Sequence, residues 1–274
     1  MIIDFLHDDK RTLRECSLVC SSWARSAQYH LFYSRRIEPR DVQAGYAQEL
    51  NAVLHGPLRA CVRELALTQG RIRSPLLALT TNILVDVLTN LPLLRSLKLR
   101  ESGFLGEVPP TLQRRFELER LSISWMYPST PGSSTSLLTL LSLFHTVRLL
   151  DLVVVHSKHL PDFDSPQPDT SYPYHSLRVY TLQFQGLSAH LLRSIQAYIS
   201  LEHLETVMAP ISNLEDIANL GHFIRKVGPG LHHLQLSFWM FWCNDSAGTS
   251  SLRHKTVVTS HIPLCIRLEH SSSR

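Results

Sequence analysis

The side chains best able to move protons or hold metal in this chain are its 15 histidines and five cysteines, and their spacing points away from both tasks. Cys16 and Cys20 stand four apart, as two ligands on one helical turn would. A zinc site needs a second Cys or His pair at finger-like distance, and none follows. Small buried hydrophobes are the plainer reading of both thiols. His232 and His233 form the best histidine pair, but no nucleophile or ligating acid accompanies them. Asp162, Asp164 and Asp169, in the run PDFDSPQPD, carry the charge of a calcium loop without its central glycine and closing glutamate. There is no H-E-x-x-H, P-loop or G-x-S-x-G motif. The expectation is a protein that holds a partner and transforms nothing, with no catalytic residue, metal or cofactor.

Elements that could position a binding surface come from a recurring pattern: apolar, two variable, apolar, one variable, apolar. It stands as Val62-Arg-Glu-Leu65-Ala-Leu67, Leu94-Arg-Ser-Leu97-Lys-Leu99, Leu118-Glu-Arg-Leu121-Ser-Ile123 and Val147-Arg-Leu-Leu150-Asp-Leu152. It continues as Leu177-Arg-Val-Tyr180-Thr-Leu182, Leu201-Glu-His-Leu204-Glu-Thr206 and Leu231-His-His-Leu234-Gln-Leu236. Alternation at the end of each copy predicts a short strand with one buried face. Helical spacing lies between copies, over Asn82–Leu91, Ser188–Ile199 and Asn213–Val227. Asn213 is placed to cap the last of these, and Gly228-Pro229-Gly230 to end it. A strand–helix unit that cannot bury its own apolar face must stack on its neighbours. The pattern from Val62 to Leu236 therefore resembles a leucine-rich-repeat solenoid, an α/β arc of parallel short strands backed by helices. A doubly wound α/β domain is the competing fold, but the chain has only 11 glycines and no G-x-G-x-x-G turn.

In this register the variable positions of each strand face outward as the substrate-binding surface. Lys98, Arg100 and Arg120 cluster at one end. Leu149, Val153 and Val179 form an apolar middle, with Asp151 in the row between. The segments Tyr127–Ser136 and Lys158–Tyr174 read as insertions that extend the surface. After Leu236 the pattern stops at the aromatic run Phe238-Trp239-Met240-Phe241-Trp242, and residues 244–274 read as an irregular tail.

The N-terminus carries a different signal. Leu13, Cys16, Cys20, Trp23 and Ala27 form one apolar stripe at helical spacing, and Leu18 and Val19 add a second apolar side. The run Ile2-Ile3-Asp4-Phe5-Leu6, the acidic turn His7-Asp8-Asp9, then Leu13, Val19-Cys20-Ser21-Ser22-Trp23 and Tyr29-His30-Leu31-Phe32 together resemble the later part of an F-box, especially in fungal members. The family's opening Leu-Pro-x-Glu segment has no counterpart after Met1. The resemblance implies a small all-α module that docks a Skp-type adaptor of a cullin ubiquitin ligase through Ile3, Leu6, Leu13, Val19, Cys20 and Trp23. It implies that the arc captures an unknown protein substrate. A stand-alone repeat scaffold without ligase association is the alternative.

Composition agrees with a folded chain, at 44% apolar and 18% charged residues. A net charge of +4 without a basic, aromatic-interleaved stripe points to no nucleic acid. The most membrane-like stretch, Leu137–Val155, carries His145, Arg148 and Asp151 and reads as buried core, so no membrane is expected. Scattered cysteines suit a reducing compartment, cytoplasm or nucleus. The expected organisation is an F-box-like module over 1–36, a helical linker over 37–61, the arc over 62–243 and the tail, acting as a monomer within a complex.

Overall fold

The computed structural model describes residues 2–7, 9–38, 44–57, 59–68, 79–100, 104–105, 115–126, 133–155, 177–186, 189–238 and 258–263. The chain opens with a 3-10 turn, Ile2–Leu6, and two helices, α1 (Lys10–Val19) and α2 (Ser21–Tyr33). Asp9 caps α1, its carboxylate accepting the backbone N–H of Arg11 and Thr12 and the Thr12 hydroxyl. The apolar stripe expected on one helix is broken at Cys20, which is extended at φ −160° and ψ 165°. Ile3, Leu13, Cys16 and Ala27 pack together inside this small module, with Leu6 and Leu31 against them.

Beyond it the fold is α/β. Strands β1 (Ser34–Ile37), β2 (Glu64–Thr68), β3 (Leu79–Thr80), β4 (Ser96–Arg100), β5 (Phe104–Leu105) and β6 (Phe116–Met126) come first. They are followed by β7 (Phe144–Val155), β8 (Leu177–Phe184), β9 (Ile199–Ser200), β10 (Thr206–Ile211), β11 (His233–Phe238) and β12 (Val258–Pro263). Between them lie α3 (Ala44–His55), α4 (Thr81–Asn90), α5 (Ser133–Ser142), α6 (Ala189–Tyr198) and α7 (Leu214–Val227). Among the described residues the main sheet has ten strands in the order β1-β2-β4-β6-β7-β8-β10-β11-β12, with β9 beside β8, and only β12 runs antiparallel. Strand order follows chain order without reversal. A doubly wound sheet reverses at a switch point, so that alternative is excluded. The arrangement is compatible with a solenoid.

One apolar cluster runs the length of the sheet. It joins strand residues such as Leu65, Leu97, Leu121, Leu150, Leu182 and Val207 to helix residues such as Leu54, Leu84, Leu141, Ile195 and Phe223. Among the described residues the helices therefore back one face and leave the other free. At α7, Asn213 accepts the Asp216 N–H while Asp216 accepts that of Ser212, each at 2.8 Å, and Gly228 ends the helix at φ +71°.

Several expectations change. The sheet begins at Ser34, not at Val62: β1 pairs with β2 in parallel, Ile37 opposite Leu67, so part of the expected module and linker belongs to the sheet. Phe32, Arg35 and Ile37 are an earlier copy of the pattern in which Arg35 replaces an aliphatic and lays its guanidinium over the Phe32 ring. The expected tail contains β12, which pairs with β11. Helix α5 begins at Ser133, inside the expected insertion before Leu137; Lys158–Tyr174 lies outside the described residues.

Two copies also shift. Val147 pairs with Val179 and Leu150 with Leu182, so the buried set in β8 is Val179, Leu182 and Phe184. Thr206 pairs with Thr181, so the next buried set is Leu204, Val207 and Ala209. The segment Leu177–Phe184 satisfies the pattern in two frames, and burial of Phe184 against Phe223 selects the later one. A recurring backbone bond marks the corrected register. The carbonyl of the second residue in one copy accepts N–H groups from the next: Arg63 to Tyr33 (2.9 Å), Arg95 and Ser96 to Arg63 (2.7 and 2.9 Å), Glu119 and Arg120 to Arg95 (2.9 and 3.0 Å). The same bond returns from Glu205 to Tyr180 (2.9 Å) and from His232 and His233 to Glu205 (both 2.9 Å).

Candidate functional site

The free face of the sheet carries a hollow of about 470 Å³ over β1, β2, β4 and β6. Its shape follows from side-chain size. Across the strands one row reads Ser34, Glu64, Ser96, Arg120 and the next reads Arg36, Ala66, Lys98, Ser122. Small and long residues alternate in both rows, half a step out of phase. The small ones leave a floor and the long ones form walls, completed by Arg95, Arg100 and Glu119.

Lys98, Arg100 and Arg120 are thus brought together as expected, and Arg36 joins them from a strand placed outside the arc by the sequence reading. Some of this charge is paired: Arg95 with Glu119 at 3.3 Å, Arg36 with Glu38, and Arg120 with Asp151 at 3.4 Å. Lys98 and Arg100 make no ion pair among the described residues. Partial burial, then the Arg100 and Arg120 guanidiniums and, after a counteracting Asp151, that of Arg36, hold the Lys98 amine below the usual lysine range.

Asp151 is on the free face yet only 3% exposed. Its carboxylate accepts from the buried Ser122 hydroxyl at 3.1 Å, the Gln185 amide at 3.3 Å and the Arg120 guanidinium at 3.4 Å. Val153 is half-buried beside it in the next outward position, opposite Ser124. Val179 is not on this surface: it is fully buried between sheet and helices, as is Val207, because both copies were framed too early. Gln183 and Met208 take the expected outward places of Thr181 and Glu205.

The second candidate surface is on the N-terminal module. Of its six expected docking residues, Ile3 and Leu13 are buried and serve the module's own core. Leu6 is half-buried against that core. Val19, Cys20 and Trp23 are exposed around the α1–α2 break, Val19 at 64% and Trp23 at 40%, with Leu18 at 86% beside them. The Cys20 thiol contacts the Ser22 hydroxyl at 3.1 Å. That contact, with the Trp23 and Ser22 backbone N–H groups of the helix start, draws its pKa below the usual thiol value. Phe5, 85% exposed, is a further apolar side chain on this module that the expected set omits.

No helix among the described residues is long and apolar enough to cross a membrane. No protein-family model, curated protein or solved structure matches the chain.

Proposed function

We propose that this chain is the substrate-recruiting adaptor of a cullin-type ubiquitin ligase. The α1–α2 module docks a Skp-type adaptor protein, and the free face of the leucine-rich-repeat sheet captures the protein to be modified. The observation that carries the first half is exposure of Leu18, Val19 and Trp23 around one helix break, above a module core that is already filled. Large apolar side chains gathered on a surface mark a protein contact more often than chance placement. Aromatic and aliphatic anchors of this kind supply most of the energy of such contacts. Burial of Ile3 and Leu13 narrows the docking set to Val19, Cys20 and Trp23, with Leu6 at its margin. The same burial gives the module a closed interior of its own, which favours the second reading, a stand-alone repeat scaffold.

The test is capture of a purified Skp-type adaptor by the full chain. Val19→Asp with Trp23→Ala should reduce capture at least tenfold and leave the melting temperature within about 2 °C, because surface changes cost little stability. No capture by the parent chain, or by one extended upstream with a Leu-Pro-x-Glu segment, would leave only the scaffold reading.

A further inference from the structure

The hollow on the sheet face has a feature that a general protein-binding surface does not require. Five cations, Arg36, Arg95, Lys98, Arg100 and Arg120, outnumber the two carboxylates, Glu64 and Glu119, around a space floored by the hydroxyl-bearing Ser34, Ser96 and Ser122. Arg95 is paired with Glu119, whereas two of the five, Lys98 and Arg100, make no ion pair among the described residues. Like charges held this close repel, and that repulsion is relieved when an anion enters. Guanidinium forks match the oxygens of a tetrahedral oxyanion, and an ammonium adds a point charge. The hollow, at about 470 Å³, has room for such a group and for what carries it.

The charge of Asp151 opposes an anion. Its geometry explains its place here. Ser122 and Gln185 fix its two oxygens, and it is nearly inaccessible to solvent. Among the described residues the one cation it pairs with is Arg120, whose side chain is half exposed. A buried carboxylate of this kind holds a mobile guanidinium in one place.

We propose that this hollow is an oxyanion site for a doubly charged tetrahedral group such as phosphate, and that Asp151 is its positioning residue, holding Arg120 at the wall. The inference deepens the substrate half of the reading above. It rests on that reading only in assigning the anion to a captured protein, and is independent of adaptor docking.

The test uses the full chain without any adaptor, titrated calorimetrically with inorganic phosphate at low salt. Binding should weaken at least tenfold in the double variant Lys98→Gln, Arg100→Gln, and be unchanged by Arg225→Gln on the distant α7. Asp151→Asn gives the sharper result. If the carboxylate were only a nearby charge, its removal would tighten anion binding; a positioning role requires weakening, by about threefold or more. Gln185→Met alters an exposed side chain and asks the same question if Asp151→Asn does not fold. No binding by the parent chain, or equal binding by the double variant, overturns the site. Tighter or unchanged binding on loss of Asp151 or Gln185 overturns the positioning role. A phosphoserine peptide, its unphosphorylated twin and free inorganic phosphate then separate the sources. Preference for the phosphopeptide assigns the anion to a protein segment, and equal binding assigns it to a free anion. Failure here leaves adaptor capture untouched, so the two proposals fail separately.

Discussion

Lys98 shows what gathering these charges costs. Its amine is held below the ordinary lysine value by partial burial and by neighbouring guanidiniums. The unfolded chain releases those constraints and binds the proton more tightly. Below the lowered folded value Lys98 is charged in both states, and only the folded state carries the penalty. As pH rises from that value toward 10.5 the folded chain loses its proton first, and stability from this group rises. Lys98→Gln should therefore melt about 1–3 °C higher than the parent at pH 7, with the difference closing near the ordinary lysine value. An unchanged or lower melting temperature at pH 7 would show that the amine is not under strain. Stability gained by removing a residue that the ligand uses is a common trade at binding sites. The charge cluster itself was legible from Lys98, Arg100 and Arg120 in the outward rows. The burial of Asp151 was not, because alternation assigns a face to a residue but not its depth. Depth here goes with the three side chains that gather on the carboxylate, Arg120, Ser122 and Gln185.

At the scale of elements, strands were harder to place than helices. Helices α4, α6 and α7 begin and end within a residue of the spans their apolar spacing marked. Their ends carry chemical signals, and Thr80, Asn213 and Gly228 act as caps. Strand copies have no such punctuation. The run Leu177–Phe184 alternates well enough to fit one frame or another two residues on, and only packing against α7 decides. This has a direct test in unfolding by urea. Val179→Ala should cost about 2–3 kcal/mol, as loss of two buried methyl groups in a tight core does. Thr181→Ala, two residues further and on the free face, should cost under about 0.5 kcal/mol. The reverse order would restore the earlier frame. The first copy is hidden for a related reason: Arg35 occupies a position that is aliphatic elsewhere, with its guanidinium over the Phe32 ring instead.

For the whole molecule, the direction of winding was the most legible property. Seven copies at steps of 24 to 32 residues already imply neighbours stacked in chain order, and the sheet follows that order from β1 to β11. Where the array starts and stops was not legible. A repeat pattern reports on its interior, where each unit has two neighbours, and terminal units depart from it because one neighbour is missing. Residues 34–37 and 258–263 are such units, one degenerate and one reversed in direction.

The reversed strand has a consequence for the company this molecule keeps in solution. Without Val258–Pro263, β11 would offer six residues of unpaired backbone amides and carbonyls, His233 to Phe238, to any other chain. Such an edge templates strand addition and ends in dimers or fibres. Pro263 sits opposite His233 at the end of the last strand, where a residue without an N–H disfavours further pairing. A chain ending before Val258 should thus form concentration-dependent oligomers by light scattering, while the full chain keeps one size. Equal behaviour of the two would mean that β11 is protected in some other way. In that sense β12 works as a terminator, setting how far a pattern that could propagate is allowed to grow.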